Sequence, residues 1–291
     1  MAFPQRLSGL QFKTRRHGSP SRAGRLDQGL DSVNRQGEAG GSWRVIGASV
    51  TGAGHQARGE PCQDAHAWDT LPDGALVAAV ADGAGSCALG GQGAAIAVAA
   101  VVEAARCHSL SAWPVEEAGW KTLLSDILMR ARDAVTKEAA ARDRNPRDFS
   151  TTLIAVIATP DAIAAAQIGD GAAVASSEDR AAIEGLTLPI LGEYLNETTF
   201  LTSPNAVETA QVRMLPQPAF GLALLSDGLQ GVALKLPSGE PHAPFFLPLL
   251  RFAASSNPRE GHAELAAFLG SDKISRKTDD DVTLVLAVSL R

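Results

Sequence analysis

Residues 75–93 read ALVAAVADGAGSCALGGQG. Seven apolar residues run unbroken from Ala75 to Ala81 and stop at Asp82-Gly83, a length that fits a strand buried on both faces. The glycine-rich stretch then opens a helix over Gly90–His108, whose small residues suit close packing. A strand, a glycine-rich turn and a helix also describe a dinucleotide site. Here, however, GxGxxG starting at Gly83 meets Ala88, and Asp82 would set an anion against pyrophosphate. The chain contains no GxxxxGK[ST] and no GxSxG, which removes a P-loop and a serine-hydrolase elbow.

Working outward, Trp43–Thr51 (WRVIGASVT) alternates and is β-branched, so it reads as a strand, and Gly52–Cys62 reads as a loop. Downstream, Glu116–Arg142 predicts a long amphipathic helix with Trp120, Leu123, Leu124, Ile127 and Leu128 on its apolar face, ended by Asn145-Pro146. Strand-like runs follow at Thr151–Ala158, Ala162–Ile168, Ala172–Ser176, Val207–Met214 and Gly221–Ser226. Short helices fit Phe245–Ala254 and Arg259–Leu269, and Val282–Leu290 is a closing strand. Strands, two helices and then a run of strands are not the regular alternation of a parallel α/β sheet. The order favours an α+β fold with antiparallel sheets. Residues 178–205 carry few periodic apolar positions and read as a long insertion.

Composition narrows the function. The chain has 291 residues, 45% hydrophobic, with a formal net charge of -6, which argues against nucleic-acid binding. The apolar run that includes Ile96–Val102 is far short of a membrane span, so no membrane partner is expected. Three cysteines without a CxxC argue against a disulfide scaffold and make a reducing, cytoplasmic setting the default. Residues 1–41 hold seven basic and three acidic side chains, against 19 and 29 in the remaining 250 residues. Their isolated apolar residues predict a basic, disordered tail, leaving 42–291 as a single domain.

Aspartates recur at strand ends: Asp82 after ALVAAVA, Asp227 after GLALLS, Asp279, Asp280 and Asp281 before VTLVLAV, and Asp64 in QDAHAW. Each Asp-Gly alone is an ordinary turn pair. Several carboxylates converging where strands emerge would repel one another unless cations neutralise them. Oxygen ligands without a His/Cys cluster suit Mg²⁺ or Mn²⁺.

In order and spacing, QDA (63–65), VADGAG (80–85), STTL (150–153), IGDGAAV (168–174), LLSDGL (224–229) and DDDVTLVL (279–286) resemble the metal-dependent protein serine/threonine phosphatases of type 2C. GEYLNETTFLTS (192–203) resembles a bacterial branch of that family. The resemblance covers about Trp43 to Leu290. It implies a central β-sandwich of two antiparallel sheets flanked by helices, with a metal site at one end. Position by position it implies Asp82 bridging two Mn²⁺ or Mg²⁺ ions and the Gly83 carbonyl as a ligand. Asp227 and Asp280 would hold the first ion and Asp64 the second. Asp148 stands near where a third ion's ligand is placed, with a plain surface aspartate as the other reading. Asp170 matches a Gly-Asp turn and reads as structural.

The sequence also departs from the family pattern. Where many members carry a phosphate-binding Arg, five residues before the first Asp, this chain has Gly59; Arg58 is the candidate clamp, and His55 takes that role or caps the loop. Ala84 stands where eukaryotic members place a candidate acid, and Gln63 replaces a Glu. The expected activity is hydrolysis of phosphoserine and phosphothreonine in proteins, opposing a Ser/Thr kinase. The alternatives are a phosphatase-fold module that binds a phosphoprotein without turnover and a hydrolase of small phosphate esters.

Overall fold

The computed structural model describes residues 43–177, 182–189 and 198–290. The tail expected over 1–41, and residues 190–197 within the stretch read as an insertion, lie outside the described residues.

One five-stranded sheet is built from β1 (Trp43–Val50), β6 (Ala172–Ser176), β7 (Ile183–Thr187), β9 (Gly221–Leu225) and β12 (Val282–Ser289), in the order β1-β12-β9-β6-β7. The other holds β2 (Asp64–Thr70), β3 (Leu76–Asp82), β4 (Leu153–Ala158), β5 (Ile163–Ile168) and β8 (Gln211–Leu215), in the order β2-β3-β4-β5-β8. All the pairings within both sheets are antiparallel. A two-stranded hairpin, β10 (Leu234–Lys235) with β11 (Glu240–Pro241), stands apart.

The sheets pack face to face through Trp68, Leu76, Ala78, Val80, Ile154 and Val156 from one and Val45, Leu222, Leu224, Val285 and Ala287 from the other. The helices are α1 (Ala53–Arg58), α2 (Gly90–His108), α3 (Glu117–Ala141), α4 (Gln230–Ala233), α5 (Ala243–Ser255), α6 (Pro258–Leu269) and α7 (Asp272–Ser275). α2 and α3 cover the outer face of the second sheet, and α5 and α6 that of the first. Four layers result, helix–sheet–sheet–helix, as the family resemblance implied. Strand β3 shows why its run reads as continuous. Leu76, Ala78 and Val80 face the opposite sheet, while Val77, Ala79 and Ala81 face the helices. Burying each Val, Leu or Ile side chain contributes roughly 1.5–3 kcal/mol, and both faces collect it.

The elements that differ from the sequence reading include three around the sheets' edges and the cleft, and the strand expected over Val207–Met214 begins only at Gln211. Gly52–Cys62 contains helix α1, capped by Gly52 and by Gly59 in the left-handed region at φ 70. QDAHAW opens strand β2. The stretch 178–205 contributes the edge strand β7.

Antiparallel pairing fixes where the acidic residues meet. Asp64 starts β2 and Asp82 ends β3, and they are direct register partners. Asp227 follows β9 and Asp280 precedes β12; these strands pair with Leu225 opposite Leu284. Both pairs therefore emerge at one end of the sandwich.

Candidate active site

That end opens into a cleft of about 580 Å³, lined by Asp82, Gly83, Asp227 and Asp280 together with His55, Arg58 and Asp170. Asp64 sits beneath it, 8% exposed. The structure thus brings together the strand-end aspartates that lie far apart in the chain.

The backbone around Asp82 is clamped. Its N–H donates to the Thr152 hydroxyl at 3.0 Å, and its carbonyl accepts from the Thr152 N–H at 2.8 Å and the Thr151 hydroxyl at 2.9 Å. Gly83 then turns tightly against the start of α2. A Cβ there would lie 2.2 Å from the Gly90 carbonyl carbon, and one at Gly90 would lie 2.8 Å from the Ala84 carbonyl oxygen, so these two glycines serve close packing of loop on helix.

Burial and mutual repulsion govern the acids. The Asp82 carboxyl is pushed up to about 11, first by burial and then by Asp64 and Asp227. Burial raises Asp227 to about 6, with Asp170 and Asp280 adding to it, while a hydrogen bond from Asp82 works the other way. Asp64 is raised to about 7, again chiefly by burial, although the hydrogen bond from the Ser226 hydroxyl favours its ionised form. Such a cluster titrates as a unit. Without cations it retains protons that isolated carboxyls would have lost by neutral pH.

The donor set fits divalent ions of the hard class. Asp64 Oδ1 and Asp227 Oδ1 are buried and have no hydrogen-bond partner. Among the described residues, no three His, Cys, Asp or Glu side chains surround a common point as in a fully protein-built cage. Mg²⁺ keeps several of its waters and asks for only one or two carboxylates, which pairs such as Asp64 with Asp82 and Asp227 with Asp280 can supply.

Of the phosphate-binding candidates, Arg58 sits at the mouth of the cleft, its side chain 55% exposed and its Nε 2.7 Å from Glu60 Oε2. His55 is buried on α1. Its Nδ1 lies 2.9 Å from Asp281 Oδ1 without making a hydrogen bond. Asp148 belongs to the 3-10 turn Pro146–Phe149 and does not line the cleft.

Three residues have roles that the sequence did not reveal. Asp281 is buried; its Oδ1 accepts from Gly52 N at 2.7 Å and its Oδ2 from Gln63 N at 2.6 Å, tying both flanks of α1 to β12. Asp170 faces the cleft, where its charge acts on Asp227 and its Oδ2 accepts from the Thr198 hydroxyl at 2.9 Å. In the amide orientation that satisfies its surroundings, Gln63 donates to the carbonyls of Gly83 and Ala84 at 3.2 and 3.3 Å. Cys62 is no nucleophile: burial, then Asp64 and Asp281, hold its thiol well above the ordinary range.

Comparison with known proteins gives a consistent picture. Residues 51–270 match the model of the family described as protein phosphatase 2C. The chain is 35% identical over 257 residues to serine/threonine-protein phosphatase 3 of Escherichia coli (strain K12), covering 85% of this chain and 98% of that protein. Among solved structures, the serine/threonine phosphatase Stp1 from Staphylococcus aureus superposes with a TM-score of 0.55 at 16% identity, over 88% of this chain and 98% of that one. PppA, a key regulatory component of T6SS in Pseudomonas aeruginosa, does so with a TM-score of 0.55 at 20% identity, over 85% and 98%. These two likenesses concern the fold.

Proposed function

The chain belongs to the protein phosphatase 2C family, and from that membership we propose that it hydrolyses phosphoserine and phosphothreonine in proteins with water activated at a pair of divalent cations. The convergence of Asp82, Asp227 and Asp280 on one cleft, with Asp64 directly behind, is the observation that carries this reading. Mn²⁺ or Mg²⁺ bound there would lower the pKa of bound water and offset charge on the phosphoryl group.

The protein's own residues supply position and charge. Asp82 stands centrally, with Asp64 as its register partner and its hydrogen bond to Asp227, and would serve both ions. The Gly83 carbonyl adds a neutral oxygen beside it. Asp227 and Asp280, at the ends of two paired strands, would hold the first ion, and Asp64 would hold the second. Arg58 presents its guanidinium at the mouth of the cleft and binds phosphoryl oxygens of the incoming substrate. His55 is a further donor toward the same oxygens. Ala84 offers no proton, so the leaving Ser or Thr oxygen takes its proton from solvent. A phosphoprotein made by a Ser/Thr kinase in the cytoplasm is the substrate this reading implies. Among the described residues no helix is long and apolar enough to cross a membrane.

The test is turnover of a phosphothreonine peptide and of a sugar phosphate by metal-stripped protein, with Mn²⁺ or Mg²⁺ added back. The reading expects metal-dependent release of phosphate, faster on the peptide, and abolished in Asp82→Ala. Undiminished turnover by Asp82→Ala with the metal chelated would overturn it. Binding of the phosphopeptide without turnover at saturating metal would also overturn it.

A further inference from the structure

The four carboxylates belong to two different sheets. Asp64 and Asp82 sit on β2 and β3, whereas Asp227 and Asp280 flank β9 and β12. One buried hydroxyl joins the two halves. Ser226, 2% exposed and immediately before Asp227, donates its Oγ–H to Asp64 Oδ2 at 2.7 Å and accepts from Thr283 N at 2.9 Å. The Thr283 N–H can only donate, so Ser226 accepts there and its single proton is directed at Asp64. The chain continues inward. Thr283 Oγ1 donates to Ser49 Oγ at 2.6 Å, and Ser49 Oγ lies 2.8 Å from His66 Nδ1. Because His66 and Asp64 share one face of β2, the chain leaves that strand, crosses β9, β12 and β1, and returns to it. Such a closed path resists rotation of any one member.

The consequence is specific to one oxygen of Asp64. Ser226 occupies Oδ2, while Oδ1 remains buried and without a hydrogen-bond partner. We propose that Ser226 is a positioning residue that fixes the Asp64 carboxylate so that Oδ1 serves the second cation, directly or through one of its waters. The inference rests on the two-ion reading above and adds to it the group that sets the second ion's affinity.

Calorimetric titration of Mn²⁺ into metal-stripped wild type, Ser226→Ala and Ser226→Cys tests it, with thermal unfolding run alongside. Cysteine keeps the side chain's bulk but replaces the hydroxyl with a poor donor, so it carries the test if the alanine variant does not fold. Of two binding events in the wild type, one is expected to weaken by about 10- to 100-fold in the variants while the other stays within about twofold. The Mn²⁺ concentration for half-maximal phosphopeptide turnover should rise in step, with kcat at saturating metal changing less. Both events unchanged in a folded variant would overturn the proposal. Equal weakening of both, together with a lowered melting temperature, would overturn it as well, since that is what a merely structural serine would produce. A wild type that is active and binds two ions keeps the two-ion reading intact in either case. A wild type that binds none overturns both.

Discussion

Replacing Asp82 with asparagine should stabilise the metal-free protein while abolishing its activity. Burial, Asp64 and Asp227 push the Asp82 carboxyl up to about 11, so the folded chain retains a proton there that the unfolded chain has released above about pH 4. A raised carboxyl pKa makes the stabilisation complete below the unfolded value and progressively lost as pH climbs toward the folded value. At pH 7 the loss is about 4 kcal/mol at most, from roughly three pH units at about 1.4 kcal/mol each. Asparagine has nearly the same shape, cannot ionise, and can still donate an N–H to Asp227. For a domain of this size the gain corresponds to an upper bound of about 10 °C in melting temperature, and several degrees is the expected value. The assay is thermal unfolding in EDTA from pH 5 to pH 8. Wild type should lose stability steadily across that window, and Asp82→Asn should lose less. Adding Mn²⁺ should raise the wild-type melting temperature by more than that of the variant. A metal-free Asp82→Asn that melts below wild type at pH 8 would refute the argument that uncompensated carboxylates burden this fold.

Arg58→Ala should raise KM for a phosphopeptide by about tenfold with a smaller change in kcat, since a charge-assisted hydrogen bond contributes about 1.5–3 kcal/mol and this one is partly solvated and shared with Glu60. Arg58→Lys should recover only part of the loss; unchanged steady-state parameters in both would remove Arg58 from substrate binding. Gln63→Glu should bind Mn²⁺ about tenfold more tightly in calorimetry, because it adds a negative charge beside the Gly83 carbonyl. The same variant should melt lower than wild type in EDTA, and a higher metal-free melting temperature would contradict the placement of Gln63.

How far the sequence exposed this architecture depends on where side chains find their partners. β3 and β12 were legible because both faces of each strand are buried, which leaves unbroken apolar runs. β2 was not, because DAHAWDT carries polar residues whose partners lie far away in the chain. His66 meets Ser49 and stacks on Trp68 with ring centroids 5.6 Å apart, and Asp69 lies 2.6 Å from Arg106 Nε. β7 is an edge strand with only its last two residues buried, so IEGLT shows little pattern. Helix α1 hid in a stretch whose glycines read as loop but act as caps. In the cleft, the strand-end aspartates were readable from their motifs. The parts played by Asp281, Asp170 and Ser226 were not, since each depends on a tertiary neighbour that no local spacing announces.

The division of the carboxylates between two sheets has a thermodynamic consequence. Neither sheet alone contains the whole cluster, so the repulsion between the Asp64–Asp82 pair and the Asp227–Asp280 pair arises only when the sandwich closes. The apolar contacts between the sheets must overcome that repulsion in the metal-free protein. Any cation that binds the closed form and not the open chain shifts the balance by mass action. Ion affinity and docking of the two sheets are therefore linked quantities in this fold. A core substitution such as Leu224→Ala, distant from the cleft in chemistry but central to the inter-sheet contact, should weaken apparent Mn²⁺ affinity only to the extent that it populates the open chain. Cleft substitutions should weaken it in a fully folded protein, and that contrast separates the residues that bind from those that merely hold the sandwich shut.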